Sequence, residues 1–125
     1  MATKRVFIAF AIEDEKYRNF LSAQAKLDKS PFEFVDMSAK EPWDEKWKTN
    51  CRARVKGCNG VIALISKHTK NAEGQLWEIQ CVYNEGVPIM LMWINDERPV
   101  LPALIKDKRI NLWSWENLKT FINGL

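Results

Sequence analysis

Metal, redox and phosphate-loop chemistries have little to work with in this chain. It has one histidine, His68, and three cysteines, Cys51, Cys58 and Cys81, in no CxxC arrangement. A structural or catalytic zinc site needs several such ligands at set spacings, so no metal is expected. An odd cysteine count without a framework also argues against a disulfide-stapled secreted fold. There is no GxGxxG and no Walker loop, which removes the ordinary dinucleotide and NTP folds. A phosphate-accepting receiver site needs an Asp at the end of its third strand, and here that strand ends in Ile65-Ser66. No Ser–His–Asp order is credible around His68.

Long hydrophobic runs are missing too. No apolar stretch approaches the ~18 residues of a membrane helix. The start, Met-Ala-Thr-Lys-Arg, leads into an apolar segment too short for a signal-peptide core, with no small-residue cleavage site after it. The net charge of +3 is mild, and the two signs are interspersed. That balance permits an anionic small molecule but does not suggest a nucleic-acid surface. A cytosolic protein with neither membrane nor nucleic-acid partners is the expectation.

A core, by contrast, is well supplied. Of 125 residues, 46% are hydrophobic and six are Trp. That length and content predict one folded domain over residues 1–125. Arg5 to Phe10 and Gly60 to Ile65 are continuous apolar runs, as in parallel strands buried on both faces. Phe32 to Asp36, Val87 to Ile94 and Arg109 to Leu112 read as further strands. Helices are expected over Glu15 to Lys26, with Asp14 as N-cap, and from Pro42 to about Gly57. Two more follow, from Gln75 to Glu85 with Gly86 as C-cap, and after Ser114. Pro99 to Ile105 reads as a short helix or loop. In the second helix Trp43, Trp47, Cys51, Val55 and Cys58 form an inward stripe, while Lys48, Arg52 and Lys56 form a basic line.

Alternation of strand and helix at this spacing predicts an α/β domain with a parallel sheet and helices on both faces. Five strands in a chain of this size fit the flavodoxin-like order 2-1-3-4-5. In that order the chain reverses between strands one and three, and the loops at their carboxyl ends flank a crevice. Those loops are Phe10 to Asp14 and Ser66 to Trp77, with Asp36 to Trp43 beside the first. The stretch Ser66 to Glu78 ends in a carboxylate–indole pair at a predicted helix start, Trp77-Glu78. A Glu there is also what the helix dipole favours on its own, and Ser66 and Thr69 equally suit a turn.

Several segments in order carry a family resemblance. They are Arg-Val-Phe-Ile-Ala-Phe with Glu13-Asp14 and Tyr17-Arg18; Ser-Pro-Phe-Glu-Phe-Val-Asp; Lys-Glu-Pro-Trp-Asp with Trp47-Lys48; Gly-Cys-Asn-Gly-Val-Ile-Ala-Leu-Ile-Ser; and Trp77-Glu78-Ile79 before Glu85-Gly86-Val-Pro. Together they resemble the TIR-like domains of bacterial antiphage defence, in particular the small TIR-like proteins of Thoeris systems, from Lys4 to about Trp93. The resemblance implies an enzyme of NAD+ glycohydrolase or ADP-ribosyl cyclase type. Such an enzyme cleaves the nicotinamide–ribose bond and makes an ADP-ribose-derived, in some members cyclic, signal that reaches a partner effector. NAD+ is then substrate, and no cofactor is implied.

In that family a Glu at the start of the helix after strand three is catalytic, and Glu78 occupies that place. The implied substrate-binding residues are Phe10, Ala11, Asp36, Trp43, Ser66 and Trp77, with Lys48 and Arg52 for the diphosphate or for assembly. Ala9 stands where family members often carry Ser. Many TIR domains are scaffolds, so the alternative is a non-catalytic module that assembles with other TIR domains or with copies of itself.

Overall fold

The computed structural model describes residues 4–27, 32–35 and 45–125. Five strands, β1 (Lys4–Ala9), β2 (Phe32–Val35), β3 (Gly60–Ile65), β4 (Ile89–Trp93) and β5 (Ile110–Asn111), form one sheet in the order β2-β1-β3-β4-β5. Every pairing is parallel, with Ala9 opposite Ala63 and Ile65 opposite Trp93. Four helices connect or follow them: α1 (Glu15–Leu27), α2 (Glu45–Lys56), α3 (Glu73–Glu85) and α4 (Trp115–Asn123).

The period-two alternation of a strand sorts the apolar runs onto two faces. Phe7, Ala9, Val61, Ala63, Ile65 and Leu91 face one way, onto Cys51 and Val55 of α2 and Ile79 and Val82 of α3. Val6, Ile8, Phe10, Ile62, Leu64, Met90 and Met92 face the other, onto Leu21 and Ala25 of α1 and Leu118 and Ile122 of α4. The α/β reading with a parallel sheet between helices therefore holds. Strands read as nearly all apolar because both faces are covered. Each fully buried Val, Leu or Ile contributes roughly 1.5–3 kcal/mol by leaving water.

Local chemistry sets the element ends. Gly86, at φ 70°, is the left-handed residue after α3. Its N–H reaches the Tyr83 carbonyl at 3.3 Å, and the Val87 N–H reaches the Val82 carbonyl at 3.2 Å, a Schellman closure. The Ser114 hydroxyl accepts the Asn117 N–H at 3.0 Å and starts α4.

Three expectations need correcting. The helix α3 begins at Glu73, with Ala72 as the non-helical residue before it. Gly74, read as loop, lies inside the first turn, where an acidic Glu73 suits the dipole. Trp77 and Glu78 thus belong to the second turn. The fifth strand shrinks to Ile110–Asn111, while Pro99 to Ile105, read as a short helix or loop, is loop and turn. The stretch from Asp36 to Asp44, with Pro42 and Trp43, lies outside the described residues.

Candidate active site

Five polar or charged side chains are buried among the described residues: Asp14, Ser66, Thr69, Gln75 and Glu78. They belong to the segments that follow the carboxyl ends of β1 and β3, where the sheet order reverses. A buried polar group needs partners, and most of theirs can be named.

After β1 the chain passes through Phe10 and Ala11 into a 3-10 turn, Ile12–Asp14, closed by the Asp14 N–H on the Ala11 carbonyl at 2.8 Å. This turn buries Asp14. Its Oδ2 accepts the Ser66 hydroxyl, 2.5 Å away across the reversal point. Ser66 in turn is held by its own loop. Its N–H donates to Thr69 Oγ1 at 3.0 Å, its Oγ accepts the His68 N–H at 3.0 Å, and its carbonyl accepts the Thr69 N–H at 3.2 Å. At the rim, His68 Nδ1 stands 3.7 Å from Glu13 Oε2. The two loops are thus laced together.

From there a second 3-10 turn, Thr69–Asn71, leads into α3. Gln75, Glu78, Ile79 and Val82, at i, i+3, i+4 and i+7, form the buried face of that helix. Glu78 is completely buried. One turn earlier, Gln75 Nε2 donates to two backbone carbonyls, Ala9 at 3.0 Å and Leu64 at 2.7 Å. These carbonyls belong to neighbouring strands. Carbonyls alternate sides along a strand, and that of Ile65 already accepts the Ile94 N–H at 3.2 Å on the β4 side. The Leu64 carbonyl faces β1, whose pairing with β3 ends at Ala9 opposite Ala63. The Gln75 amide supplies the donors that a longer β1 would have supplied.

The residues expected at the site divide. Ser66 lies at the reversal point, bound to Asp14, and Glu78 is buried on α3. Ser66, however, is occupied by Asp14, Thr69 and His68, so it shapes the loop. Phe10 is buried in the core on the α1–α4 face, with the Arg18 guanidinium 5.8 Å from its ring centroid, and Ala11 is buried beside it in sequence. They serve as packing behind the loop rather than as an open wall. Trp77 is rotated by about 100° from Glu78 around the helix and lies on the α2 side, with the Arg52 guanidinium 5.8 Å from its ring. Lys56 pairs with Glu85 at 3.6 Å. Arg52 and Lys56 of the basic line are both exposed, on the side of α2 that borders α3. Lys48 is half-buried on α2. Asp36 and Trp43 lie outside the described residues.

Between α2 and α3, Arg52, Trp77, Gln80, Cys81, Asn84 and Glu85 line a small cavity of about 130 Å³. Burial, and secondarily the Glu85 charge, raises the Cys81 thiol above its ordinary range, against the opposing pull of Arg52 and Lys56. Among the described residues no three His, Cys, Asp or Glu side chains group closely enough to hold a metal ion. No helix among them is long and apolar enough to cross a membrane.

Sequence reading missed two of the five buried groups. Asp14 was expected as a helix cap, and its tie to Ser66 depends on contact between loops 52 positions apart. Gln75 was passed over as an ordinary first-turn residue. Its signal was there: it is the one uncharged polar residue on a helix face otherwise carrying Glu78, Ile79 and Val82.

A parallel sheet reversing between β1 and β3, with buried polar groups at their carboxyl ends, defines a flavodoxin-like α/β domain. The model of the Thoeris protein ThsB TIR-like domain matches residues 7–99, and the chain belongs to that family. Two solved structures share the fold. The TIR domain of the Toll-related receptor TRR-2 from Hydra magnipapillata is 16% identical with a TM-score of 0.66, over 95% of this chain and 92% of that one. The Clostridium botulinum CMP N-glycosidase BcmB is 19% identical with a TM-score of 0.55, over 97% of each chain. Comparison with curated proteins returned no match.

Proposed function

We propose that this chain cleaves the nicotinamide–ribose bond of NAD+ and converts the ADP-ribose part into a signal for a partner effector in antiphage defence. The observation that carries the reading is Glu78, a carboxylate with no exposed surface, on the second turn of α3, one turn after Gln75. Keeping a carboxylate out of water is costly, and folds keep one where charge has work to do.

The chemistry asks little of the protein beyond that charge. Nicotinamide leaves a cationic N-glycosidic bond as a neutral molecule, so no general acid is needed. As the bond lengthens, positive charge grows on the ribose. A carboxylate stabilises that oxocarbenium character and can accept a ribose hydroxyl proton as a hydrogen bond. Water attack then gives ADP-ribose; exclusion of water leaves the attack to a nucleophile within the same molecule and gives a cyclic product. Glu78 is the residue assigned to this role. Ser66 and Asp14 tie together the loops that follow β1 and β3. A neighbour of the same fold is described as a CMP N-glycosidase, which supports glycosidic cleavage on a nucleotide as chemistry that this fold carries in that protein.

The alternative, a non-catalytic assembly module, leaned on the basic line of α2. Arg52 and Lys56 contact Trp77 and Glu85 within the chain but stay exposed, so the case for the enzymatic reading rests on Glu78 and not on them. Assembly with other TIR domains or with further copies remains compatible with it, as a condition for turnover.

The test is product analysis from phage-infected cells carrying the wild-type chain or Glu78→Gln. Wild type is expected to yield nicotinamide and an ADP-ribose-derived product, and the variant neither. Equal product from Glu78→Gln would overturn the assignment.

A further inference from the structure

We infer that Gln75 is a positioning residue: its amide bridges the Ala9 and Leu64 carbonyls and thereby fixes where α3, and Glu78 on the same face of it, sits against the sheet. The inference rests on the reading of Glu78 as the catalytic carboxylate.

The geometry is specific. A primary amide nitrogen has two hydrogens, and Gln75 Nε2 has two acceptors, at 3.0 Å and 2.7 Å, on two different strands. Elsewhere on the same inward face, Ile79 and Val82 meet the sheet through apolar contact. Apolar contact fixes a helix on a sheet with some freedom to slide and roll. A two-point amide clamp removes that freedom at one turn. Glu78 lies three residues on, on the same face, so it moves with Gln75.

The other half of the amide adds to the case. Gln75 is 1% exposed, and its Oε1 is buried with no hydrogen-bond partner. A buried acceptor left unsatisfied is destabilising. A core that needed only to fill this space would be served by Leu or Met. The amide is retained in spite of that cost, and what it contributes is the placement of α3. Misplacement of a reacting group by about 1 Å can cost on the order of a hundredfold in rate.

The experiment compares four purified proteins with NAD+ as the probe: wild type, Gln75→Met, Val82→Ala and Glu78→Gln. Met matches Gln in length and keeps the packing but donates nothing. Val82→Ala loosens the same helix from the same sheet while leaving the amide in place. Gln75→Met is expected to lower kcat at least about tenfold with KM changed less than about threefold. Val82→Ala is expected to lower Tm by as much or more with kcat unchanged. Hydrogen–deuterium exchange supplies a readout independent of turnover. Gln75→Met is expected to speed exchange at Trp77–Ile79 while the last turn of α3 stays protected. Gln75→Glu places a carboxyl oxygen against two carbonyls and is expected to do the same.

Unchanged kcat and unchanged exchange in Gln75→Met would overturn the positioning role. So would a loss of kcat in Val82→Ala equal to that in Gln75→Met, since general loosening would then suffice. If instead Glu78→Gln keeps full turnover, the catalytic reading of Glu78 falls, whatever Gln75 does.

Discussion

At their carboxyl ends β1 and β3 lead into loops and a helix that bury Asp14, Ser66, Thr69, Gln75 and Glu78, whereas at the amino end Gly60 is packed against Leu125 and Phe121. The amino end is fastened by the backbone and by chain ends. Asn59 and Arg5 exchange two hydrogen bonds, each 2.8 Å, the Val61 N–H reaches the Pro88 carbonyl at 2.9 Å, and Lys4 Nζ donates to the Leu125 carbonyl. This is the less costly way to finish a sheet, because the side-chain polar groups it uses, Lys4 and Asn59, are not buried. That only one end departs from it teaches where the fold carries function. Stability can come from either end; buried polarity concentrates at the one that faces the helix bearing Glu78.

The comparison makes its strongest claim at Glu78. If the carboxylate is kept for chemistry, Glu78→Gln should cost turnover about a thousandfold, about 4 kcal/mol of transition-state stabilisation. Tm should stay level or rise, since a neutral amide is easier to bury than a carboxylate. Nicotinamide release and thermal unfolding on the same preparations decide it. A sharp fall in Tm with unchanged turnover would make Glu78 a structural residue and dissolve the contrast between the ends.

Ser66 tests the other half of the polar end. Ser66→Ala removes the donor to Asp14 Oδ2 and leaves a buried carboxylate short of a partner. Hydrogen bonds to charged groups contribute about 1.5–3 kcal/mol. For a domain of 125 residues the Tm should fall by roughly 3–5 °C per kcal/mol. Exchange should quicken at Lys67–Asn71 before it quickens elsewhere. Asp14→Asn, which can keep a hydrogen bond to the hydroxyl, should cost less. Equal losses for both variants would mean that the charge, not the hydrogen bond, holds the loops together.

How far the sequence reached follows the same division. The apolar runs of β1 and β3 and the stripe of α2 were legible because burial on both faces leaves a periodic mark on residue type. Glu78 was legible only through family resemblance, since a Glu near a helix start has an ordinary explanation. The Asp14–Ser66 tie and the Gln75 bridge were not legible. Both join residues far apart in sequence, and nothing in Asp or Gln as a residue type says which carbonyl or hydroxyl it will meet. Phe10 and Trp77 were read as pocket walls because they flank the crevice in sequence. Side-chain direction decides instead: it sends Phe10 to the α1–α4 core and Trp77 toward Arg52.

At the amino end the expected effects are smaller and confined to stability. A Cβ on Gly60 would lie 2.8 and 2.9 Å from the two Leu125 methyls and 3.2 Å from Phe121 Cζ. All three are ends of side chains, so they can shift. Gly60→Ala should cost about 1 kcal/mol, the low end of overpacking, with kcat unchanged. Adding Leu125→Ala should recover part of the loss in a double-mutant cycle. A change in turnover with Gly60→Ala would show that the two ends are coupled.

The smallest effect is alkaline and involves thiols away from the polar end. Burial raises Cys58, against a smaller opposing pull from Arg5, and burial raises Cys81 likewise, each above the ordinary thiol range. The folded state thus holds these protons more tightly than the unfolded chain does. The stability this brings is fully present below the unfolded pKa and is lost as pH rises through the folded one. Unfolding midpoints should therefore decline as pH climbs past about 9, and Cys58→Ala should flatten part of that decline. The Cys58 thiol donates only to the Arg54 carbonyl, at 3.1 Å, and lies in the segment entering β3, at the end away from Glu78. Its substitution should leave the pH profile of turnover unmoved. A parallel shift of both profiles would tie the thiol to the site and remove the separation between the ends.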